Sequence, residues 1–269
     1  MWGVFAFLFG ASVGSFLNVT IDRLPHGQSL VRPRSFCDAC NRSLSSLDMV
    51  PVLSYLWLRG RCRYCSAKIP MRILFTEAVT GTLFTFLYFR YGFGIEFLVM
   101  VAVVSLMLVV AIIDLEHGLI LNRIIYPAII VLLILSPFWS ELGLSRSFLG
   151  TPDLLASFLN SLVAGTGAFL VFLIITIIYP AGMGGGDVKL AGLIGLLVGF
   201  PGVLLALWMA VVAGGLMAIT LLVLGKKGRK DSMPFGPFMA AGALVTFLSG
   251  AEIMGRYQEF AANLVGAWT

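Results

Sequence analysis

Charged residues are scarce in this sequence. Only 12% of the 269 residues are Asp, Glu, Lys or Arg, whereas 59% are hydrophobic and the mean hydropathy is +0.99. This composition excludes a soluble domain, and a nucleic-acid-binding role is disfavoured because the basic residues flank apolar runs. Alternating strands of the barrel type are also missing. Several apolar runs approach or exceed the roughly 20 residues that cross a bilayer as a helix, so we expect an all-α polytopic membrane protein.

The first apolar run, 2–21, lacks the basic n-region and the small-residue cleavage site of a secretory signal peptide. We therefore interpret it as a retained helix. Proline, glycine and charge clusters separate the apolar runs and predict eight spans, near residues 2–21, 73–91, 95–113, 121–138, 153–179, 187–201, 202–224 and 235–250. The predicted organisation is a first transmembrane helix (1–21), a cytoplasmic loop domain (22–72), a seven-helix membrane core (73–250) and a C-terminal tail (251–269).

The basic residues predict the orientation of these spans. Nine of the 18 Lys and Arg residues lie in the segment 22–72, and a second cluster comprises Lys226, Lys227, Arg229 and Lys230. Basic loops stay in the cytoplasm, so we expect the N-terminus outside and the segment 22–72 inside. Counting eight spans from there also places the second cluster inside, and it leaves outside only Arg90, Arg146 and Arg256.

Two carboxylates, Asp114 and Asp187, lie at similar predicted depth on the cytoplasmic side. Asp114 closes the third span in AIIDLEHGLILN (111–122), and Asp187 opens the sixth after the glycine-rich stretch GMGGGD (182–187). Carboxylates at such positions are costly unless they are paired, hydrated or functional. If the two converge, one can hold a proton while the other is charged, and the pair can activate a water as in aspartic proteases.

Several neighbours are candidates for lining or supporting this site. The glycines before Asp187 carry no side chains and would let an extended substrate lie beside the acids; they are Gly184, Gly185 and Gly186. Asn122 fits the N-cap of the fourth span, Lys189 an interfacial position, and Glu77 a pairing or site-lining role. An acid at a helix end is often only a cap, and for Asp187 that interpretation stays open.

All four cysteines lie in the segment 22–72, as Cys37-x-x-Cys40 and Cys62-x-x-Cys65. Two such pairs, about twenty residues apart, have the spacing of a four-thiolate zinc site. A reducing cytosol argues against disulfides, and a redox dithiol, the alternative, would need only one pair. Because a closed four-cysteine site has no open coordination position, we predict a structural Zn²⁺ that stabilises a segment too small to fold around its own core.

Four motifs together resemble those of the prepilin leader peptidases, membrane aspartyl proteases of type IV pilus and type II secretion systems. GSFLNVTIDRLP (14–25) is similar to the family's first-helix exit, and the segment 33–69 resembles its zinc-bearing cytoplasmic loop. IIDLEHGLILN (112–122) and GGGDVKL (184–190), which contains the family's GxGD signature, resemble the segments of its two catalytic aspartates, here Asp114 and Asp187. The sequence departs at Leu121, where the family often has a proline that starts a helix.

The resemblance implies an endopeptidase that removes a short basic leader from a prepilin or pseudopilin at the cytoplasmic face of the bacterial inner membrane. Many members also N-methylate the new N-terminus with S-adenosylmethionine. No G-x-G-x-x-G motif follows a strand here, and the residues reveal no independent methyl-donor pocket. If the activity is present, the segment 22–72 and the adjacent cytoplasmic face are its expected location. The expected partners are the substrate protein and the bilayer, without nucleic acid.

Two other functions fit part of the sequence. In a proton-coupled transporter, Asp114 and Asp187 would relay protons, but the acids should then lie nearer the midplane and an internal repeat should be visible. A zinc-bearing scaffold would explain the cysteine pairs and leave the glycine-rich stretch before Asp187 without a purpose. The leading prediction is therefore the interfacial endopeptidase.

Overall fold

The computed structural model describes residues 1–139, 141, 153–180, 183–226 and 233–266, except for the side chains of residues 251 and 257–266. Some residues used in the topology argument lie outside these ranges, namely Arg146, Gly182, Lys227, Arg229 and Lys230. Contacts group the chain into two compact units, Met1–Val109 and Val110–Thr269. The four-part organisation predicted from the sequence stays a prediction.

Helices form at all eight predicted spans, which confirms the all-α class. The described helices are α1 (Trp2–Arg23), α2 (Leu53–Trp57), α3 (Met71–Tyr91), α4 (Ile95–His117), α5 (Asn122–Leu135), α6 (Leu154–Ile178), α7 (Gly185–Val198), α8 (Gly202–Val223) and α9 (Gly236–Gly266). Two short 3₁₀ helices, Ser46–Met49 and Ser136–Trp139, accompany them. Between α1 and α3, the predicted loop domain contains only short helical turns and two isolated antiparallel bridges.

Five segments of the described chain are long and apolar enough to cross a membrane: α1, α4, α5 continued to Trp139, α6 and α8. The other three predicted spans form helices that fall short in length or hydropathy. Helix α7 has 14 residues, and the apolar part of α9 is limited to Gly236–Gly250. Helix α3 has 21 residues, but its hydropathy is lowered by one acid and four threonines: Glu77, Thr76, Thr80, Thr82 and Thr85.

Three helix ends differ from the sequence prediction in ways that matter for the candidate site. Helix α4 continues to His117, so Asp114 lies in its last turn and not beyond its end. Helix α7 begins at Gly185, so part of the predicted glycine loop is the first helical turn. Helix α9 continues to Gly266, past the end predicted near residue 250.

In the first unit, α1 and α3 pack closely because α1 presents glycines to α3. At Gly14, an added Cβ would lie 2.8 Å from the Cα of Glu77, and at Gly10 it would lie 2.7 Å from the Cβ of Phe84. These glycines are four residues apart and therefore share one helix face. Small residues at this spacing let two membrane helices approach to backbone contact, which fixes α1 against α3.

In the second unit, α7 is the central helix. Ten of its 14 residues are buried, and it packs against α5, α6, α8 and α9. The turn after α7 is held by Asn160 of α6, whose amide accepts the Phe200 N–H at 2.6 Å and donates to the Phe200 carbonyl at 3.0 Å. Because α7 is buried, the backbone of Asp187, its third residue, is held in a fixed position.

Candidate active site and metal centre

Asp114 is buried in the last turn of α4 and is tied to α9. It is 5% exposed, and its Oδ2 atom accepts the backbone N–H of Gly236 at 2.8 Å. Gly236 is the first residue of α9, where helical N–H groups have no partner within the helix. The positive end of a helix dipole favours an anion, so α9 supplies both a hydrogen bond and a favourable field to this carboxylate.

Gly236 is a site residue that sequence reasoning missed. A Cβ at this position would lie 2.7 Å from Asp114 Oδ2, closer than a carbon can stand to that oxygen without displacing it. The available signal was the stretch MPFGPF (233–238), in which a glycine stands between two prolines at a helix start. That pattern indicates a helix start but does not reveal that an acid 122 positions earlier in the chain lies against it.

Asp187 lies in the first turn of α7. Its Oδ2 atom accepts the N–H of Gly184, the residue that precedes the helix, at 3.1 Å. Asp187 therefore does cap the start of α7, as one interpretation of the sequence allowed. Ile120, six residues after Asp114, packs against Gly186, the residue before Asp187, and Asp114 acts electrostatically on Asp187. The structure therefore places the last turn of α4 and the first turn of α7 in the same region, and each acid accepts a backbone N–H at the start of a helix, α9 for Asp114 and α7 for Asp187.

The three predicted glycines of the site differ in their surroundings. An added Cβ at Gly186 would lie 2.8 Å from the Cβ of Ile120, which brings the connection between α4 and α5 against the start of α7. At Gly185 a Cβ would meet no atom of the described residues within 4 Å, and at Gly184 the nearest such atom would be Asp187 Oδ2 at 3.6 Å. Of these three positions, close packing requires a glycine only at Gly186, and the part of the chain that the structure describes leaves space beside Gly185.

Lys189 and Asn122 form a second contact between α7 and α5. The Lys189 Nζ atom donates to Asn122 Oδ1 at 2.8 Å and lies 5.4 Å from the centroid of the Tyr126 ring. The predicted N-cap role of Asn122 is wrong, because Leu121 is the N-cap and has no side-chain cap bond. Asn122 instead fixes Lys189, two residues after Asp187, against the start of α5.

Glu77 is a buried acid that accepts a hydrogen bond from the loop between α1 and α3, and its predicted pairing or site-lining role stays a prediction. It is 4% exposed, and its Oε2 atom accepts the N–H of Val52 at 2.7 Å. Val52 has φ +62° and ψ −52°, a backbone conformation that costs free energy for a β-branched residue. Glu77 thus stabilises the strained residue that starts α2 in the loop between α1 and α3.

The four cysteines converge in the first unit. Cys37, Cys40, Cys62 and Cys65 place their Sγ atoms within 4.8 Å of one another, and the Sγ atoms of Cys37 and Cys65 are 3.8 Å apart. A tetrahedral ion with Zn–S bonds of about 2.3 Å holds its sulfurs about 3.8 Å apart. Both the donor set and its spacing therefore fit a metal ion.

The two cysteine pairs are built alike. The Cys37 N–H donates to the Arg42 carbonyl and the Cys62 N–H to the Ala67 carbonyl, five residues on in each case. In each turn the residue after the second cysteine is left-handed, with φ +54° at Asn41 and +59° at Ser66. These turns aim both sulfurs of a pair to one side, as a tetrahedral site requires.

Electrostatics in this cluster also favour a bound cation. Backbone N–H groups of Tyr64 and Cys65 lower the pKa of the Cys62 thiol to about 7. The N–H of Ala67 lowers the pKa of Cys65, but burial and the neighbouring sulfurs outweigh it and raise that pKa to about 12. Four thiolates at this separation repel one another, and a divalent ion at their centre removes that repulsion.

Comparison with known proteins accounts for most of the chain. Residues 8–91 match the bacterial peptidase A24 N-terminal domain, and residues 101–219 match the type IV leader peptidase family. A prepilin leader peptidase/N-methyltransferase of Bacillus subtilis (strain 168) is 32% identical over 95% of this chain and 97% of its own length. The chain belongs to the type IV leader peptidase family. This membership confirms the family identified from the sequence motifs, and it does not support the transporter alternative.

Other relatives of this leader peptidase carry the same name. A prepilin leader peptidase/N-methyltransferase of Pseudomonas putida is 30% identical over 92% of this chain and 91% of its own length. One of Aeromonas hydrophila is 29% identical over 93% and 92%. No solved structure gives a significant match.

The two matched regions of the leader peptidase divide the candidate sites between them. The N-terminal match, 8–91, contains the four cysteines, and the second match, 101–219, contains Asp114 and Asp187. Gly236 lies beyond both matched regions, although its N–H donates to Asp114. The matched regions therefore include both acids but not the start of α9, whose N–H binds Asp114.

Proposed function

We propose that this protein is an aspartic endopeptidase that removes the basic leader of prepilins or pseudopilins, with Asp114 and Asp187 as the catalytic residues. The observation that supports this role is that each of the two acids accepts one backbone N–H at a helix start, while Ile120, in the connection that follows Asp114, packs against Gly186 beside Asp187. The names of the relatives supply the substrate class.

The proposed chemistry uses a shared proton. One carboxylate takes a proton from a water, whose oxygen forms a bond to the scissile carbonyl carbon. The other carboxyl group gives its proton to the carbonyl oxygen, and the carbon–nitrogen bond then breaks as the leaving nitrogen takes up a proton. The open space at Gly185 leaves room for the substrate backbone beside Asp187.

The test uses the purified full chain in detergent with a leader-bearing prepilin. We expect cleavage by the wild type, and we expect Asp114→Asn and Asp187→Asn each to reduce the rate about 10²–10⁴-fold, as for loss of an acid–base group. Glu116→Gln is the matched control, because it removes an exposed carboxylate two residues from Asp114. Cleavage at the wild-type rate by either asparagine variant would exclude the two-acid mechanism.

We propose further that the ion held by the four cysteines is Zn²⁺ and that its role is structural. The four-thiolate donor set with paired C-x-x-C spacing is the common structural zinc site. All four ligands come from the protein, so the ion would have no free position for water or substrate. Its contribution is then to the folding of the loop between α1 and α3, and not to the hydrolytic step.

For location, we propose the bacterial inner membrane with the N-terminus outside and the aspartates at the cytoplasmic face. The asymmetric distribution of Lys and Arg supports this orientation. It also agrees with the chemistry, because a leader peptide that stays in the cytosol would be cut at that face.

Methyl transfer from S-adenosylmethionine to the new N-terminus is a second proposed activity, and it rests on the names of the relatives. The cavity beside the cysteine loop does not fit this donor. Its lining includes Arg23 and Arg34 but no carboxylate, so it would repel a positively charged sulfonium. The activity is tested by incubating the enzyme with prepilin and methyl-labelled donor and measuring label on the mature N-terminus; no label with full cleavage would exclude it.

A further inference from the structure

A cavity of about 610 Å³ lies where α1 ends and the cysteine-bearing loop begins. One side is formed by the last two turns of α1, including Phe16, Val19 and Arg23. The other side is formed by the loop and includes Val31 and Arg34. Since α1 is long and apolar enough to span a membrane and ends at Arg23, the cavity lies at the level where lipid headgroups meet water.

Arg23 is a buried cation that faces this cavity. It is 9% exposed, and its Nη1 atom donates to the carbonyl of Ser29 at 3.0 Å. Within the described ranges, no carboxylate lies within ion-pair distance of Arg23 or Arg34. A guanidinium carries five N–H donors, and a buried charge normally has a counter-ion, so the cavity is suited to an anion.

The apolar residues that line the cavity indicate that its ligand also has an apolar part. Val31 is 82% exposed, Phe16 53% and Met49 43%, although all three are apolar and line the cavity. Exposed apolar side chains grouped at one place mark a binding surface. An anionic group beside the arginines, continued by hydrocarbon along α1, would satisfy both parts of this lining.

We propose that this cavity binds the headgroup of an acidic phospholipid, with its phosphate on Arg23 and Arg34 and its acyl chains along Phe16 and Val19. Basic pockets at the ends of membrane helices bind anionic lipid headgroups. A free phosphate would leave the apolar wall uncovered. A basic leader peptide would be repelled by the two arginines. This site is separate from the proposed peptidase reaction and does not depend on it.

The test measures binding of phosphatidylglycerol to the full-length protein in detergent micelles by native mass spectrometry, with phosphatidylcholine as the neutral comparison. We expect one phosphatidylglycerol to bind at least tenfold more tightly than phosphatidylcholine. Arg34→Gln should reduce this preference about tenfold, because it removes one charge-assisted hydrogen bond. Arg32→Gln is the matched control: it removes the same charge from the same exposed segment but does not line the cavity.

A second variant tests the site without removing an arginine. Val31→Asp places a negative charge on the rim and should also abolish the preference, and zinc content checks that the loop has folded. Equal loss of preference in Arg32→Gln, or no loss in Arg34→Gln and Val31→Asp, would overturn the proposal. Competition by glycerol 3-phosphate at concentrations similar to those of the lipid would also overturn it, because the acyl chains would then contribute nothing.

Discussion

A methyl group added at Gly236 would collide with the carboxylate of Asp114. If Asp114 has the proposed catalytic role, we expect Gly236→Ala to lower kcat about 10–100-fold, because displacing a catalytic group by about 1 Å costs on that order, while KM changes little. The measurement is steady-state cleavage of a prepilin by the purified enzyme.

Gly215→Ala is the control for this prediction. Gly215 lies inside α8, where an added Cβ would meet no atom within 4 Å, and alanine is the better helix former. It should leave kcat unchanged. If both alanine variants were fully active, the contact between Gly236 and Asp114 would have no role in positioning the acid.

The bond between Lys189 and Asn122 should stabilise the packing of α7 on α5. We expect a double-mutant cycle with Lys189→Met and Asn122→Leu to give a coupling of about 0.5–1.5 kcal/mol in thermal or denaturant unfolding. Because both side chains are partly exposed, the lower end of this range is expected. A coupling of zero would mean that the hydrogen bond does not hold the two helices together.

At the residue scale, the sequence indicated candidate groups better than their contacts. Asp114, Asp187 and the four cysteines stand out because acids at span ends and paired C-x-x-C motifs are locally unusual; the cysteines converge in the structure, and the catalytic role of the two acids stays a prediction. The partner of Asp114 was missed because Gly236 is 122 positions away. The predicted N-cap role of Asn122 was wrong, because a polar residue at a helix start can either cap its own helix or hydrogen-bond to a side chain on another helix, as Asn122 does with Lys189. The local sequence does not distinguish these two roles.

Among the helices, the contact between α1 and α3 depends on the glycine face of α1. We expect Gly14→Leu to destabilise the protein by about 1–3 kcal/mol through overpacking, which lowers Tm by roughly 2–4 °C per kcal/mol. Gly94→Ala is the control in the same unit, because an added Cβ there would meet no atom within 4 Å. Unchanged Tm in Gly14→Leu would contradict the close packing described for α1 and α3.

The cysteine-bearing loop should lose its fold without its metal. We expect Cys40→Ser to reduce bound zinc from one ion per chain to a small fraction, and to make the segment between α1 and α3 sensitive to limited proteolysis. Ser43→Ala, which changes a neighbouring side chain outside the four ligands, should keep both zinc and protease resistance. Full zinc retention by Cys40→Ser would exclude the four-thiolate site.

The positions of the helices were predictable because long apolar runs stand out between proline, glycine and charge clusters, although only five of the eight predicted spans are long and apolar enough to cross a membrane. The ends of the helices were less predictable. Helix α4 continues through Asp114 to His117, and Asp114 accepts the N–H of Gly236 at the start of α9, a distant contact that the local sequence around Asp114 does not reveal. Helix α7 incorporates Gly185 and Gly186, because Asp187 caps the turn they form.

For the molecule as a whole, the balance of basic residues predicts which loops face the cytoplasm. With a membrane-impermeant maleimide, we expect Arg90→Cys to react in intact cells and Lys226→Cys to react only after permeabilisation. Both positions are exposed in the structure, so each should be reachable from its own side. The reverse pattern would invert the orientation and move the aspartates to the opposite face.

The hydrogen bond from Gly236 to Asp114 also has a consequence for biosynthesis. A nascent chain that has emerged only to residue 226 already contains both aspartates and all four cysteines, yet it lacks the amide that holds one of the acids. The contact that positions Asp114 is therefore completed only once the start of α9 has been synthesised and has packed against α4. We expect a chain truncated before Gly236 to keep both aspartates but to cleave a prepilin more slowly than the full chain.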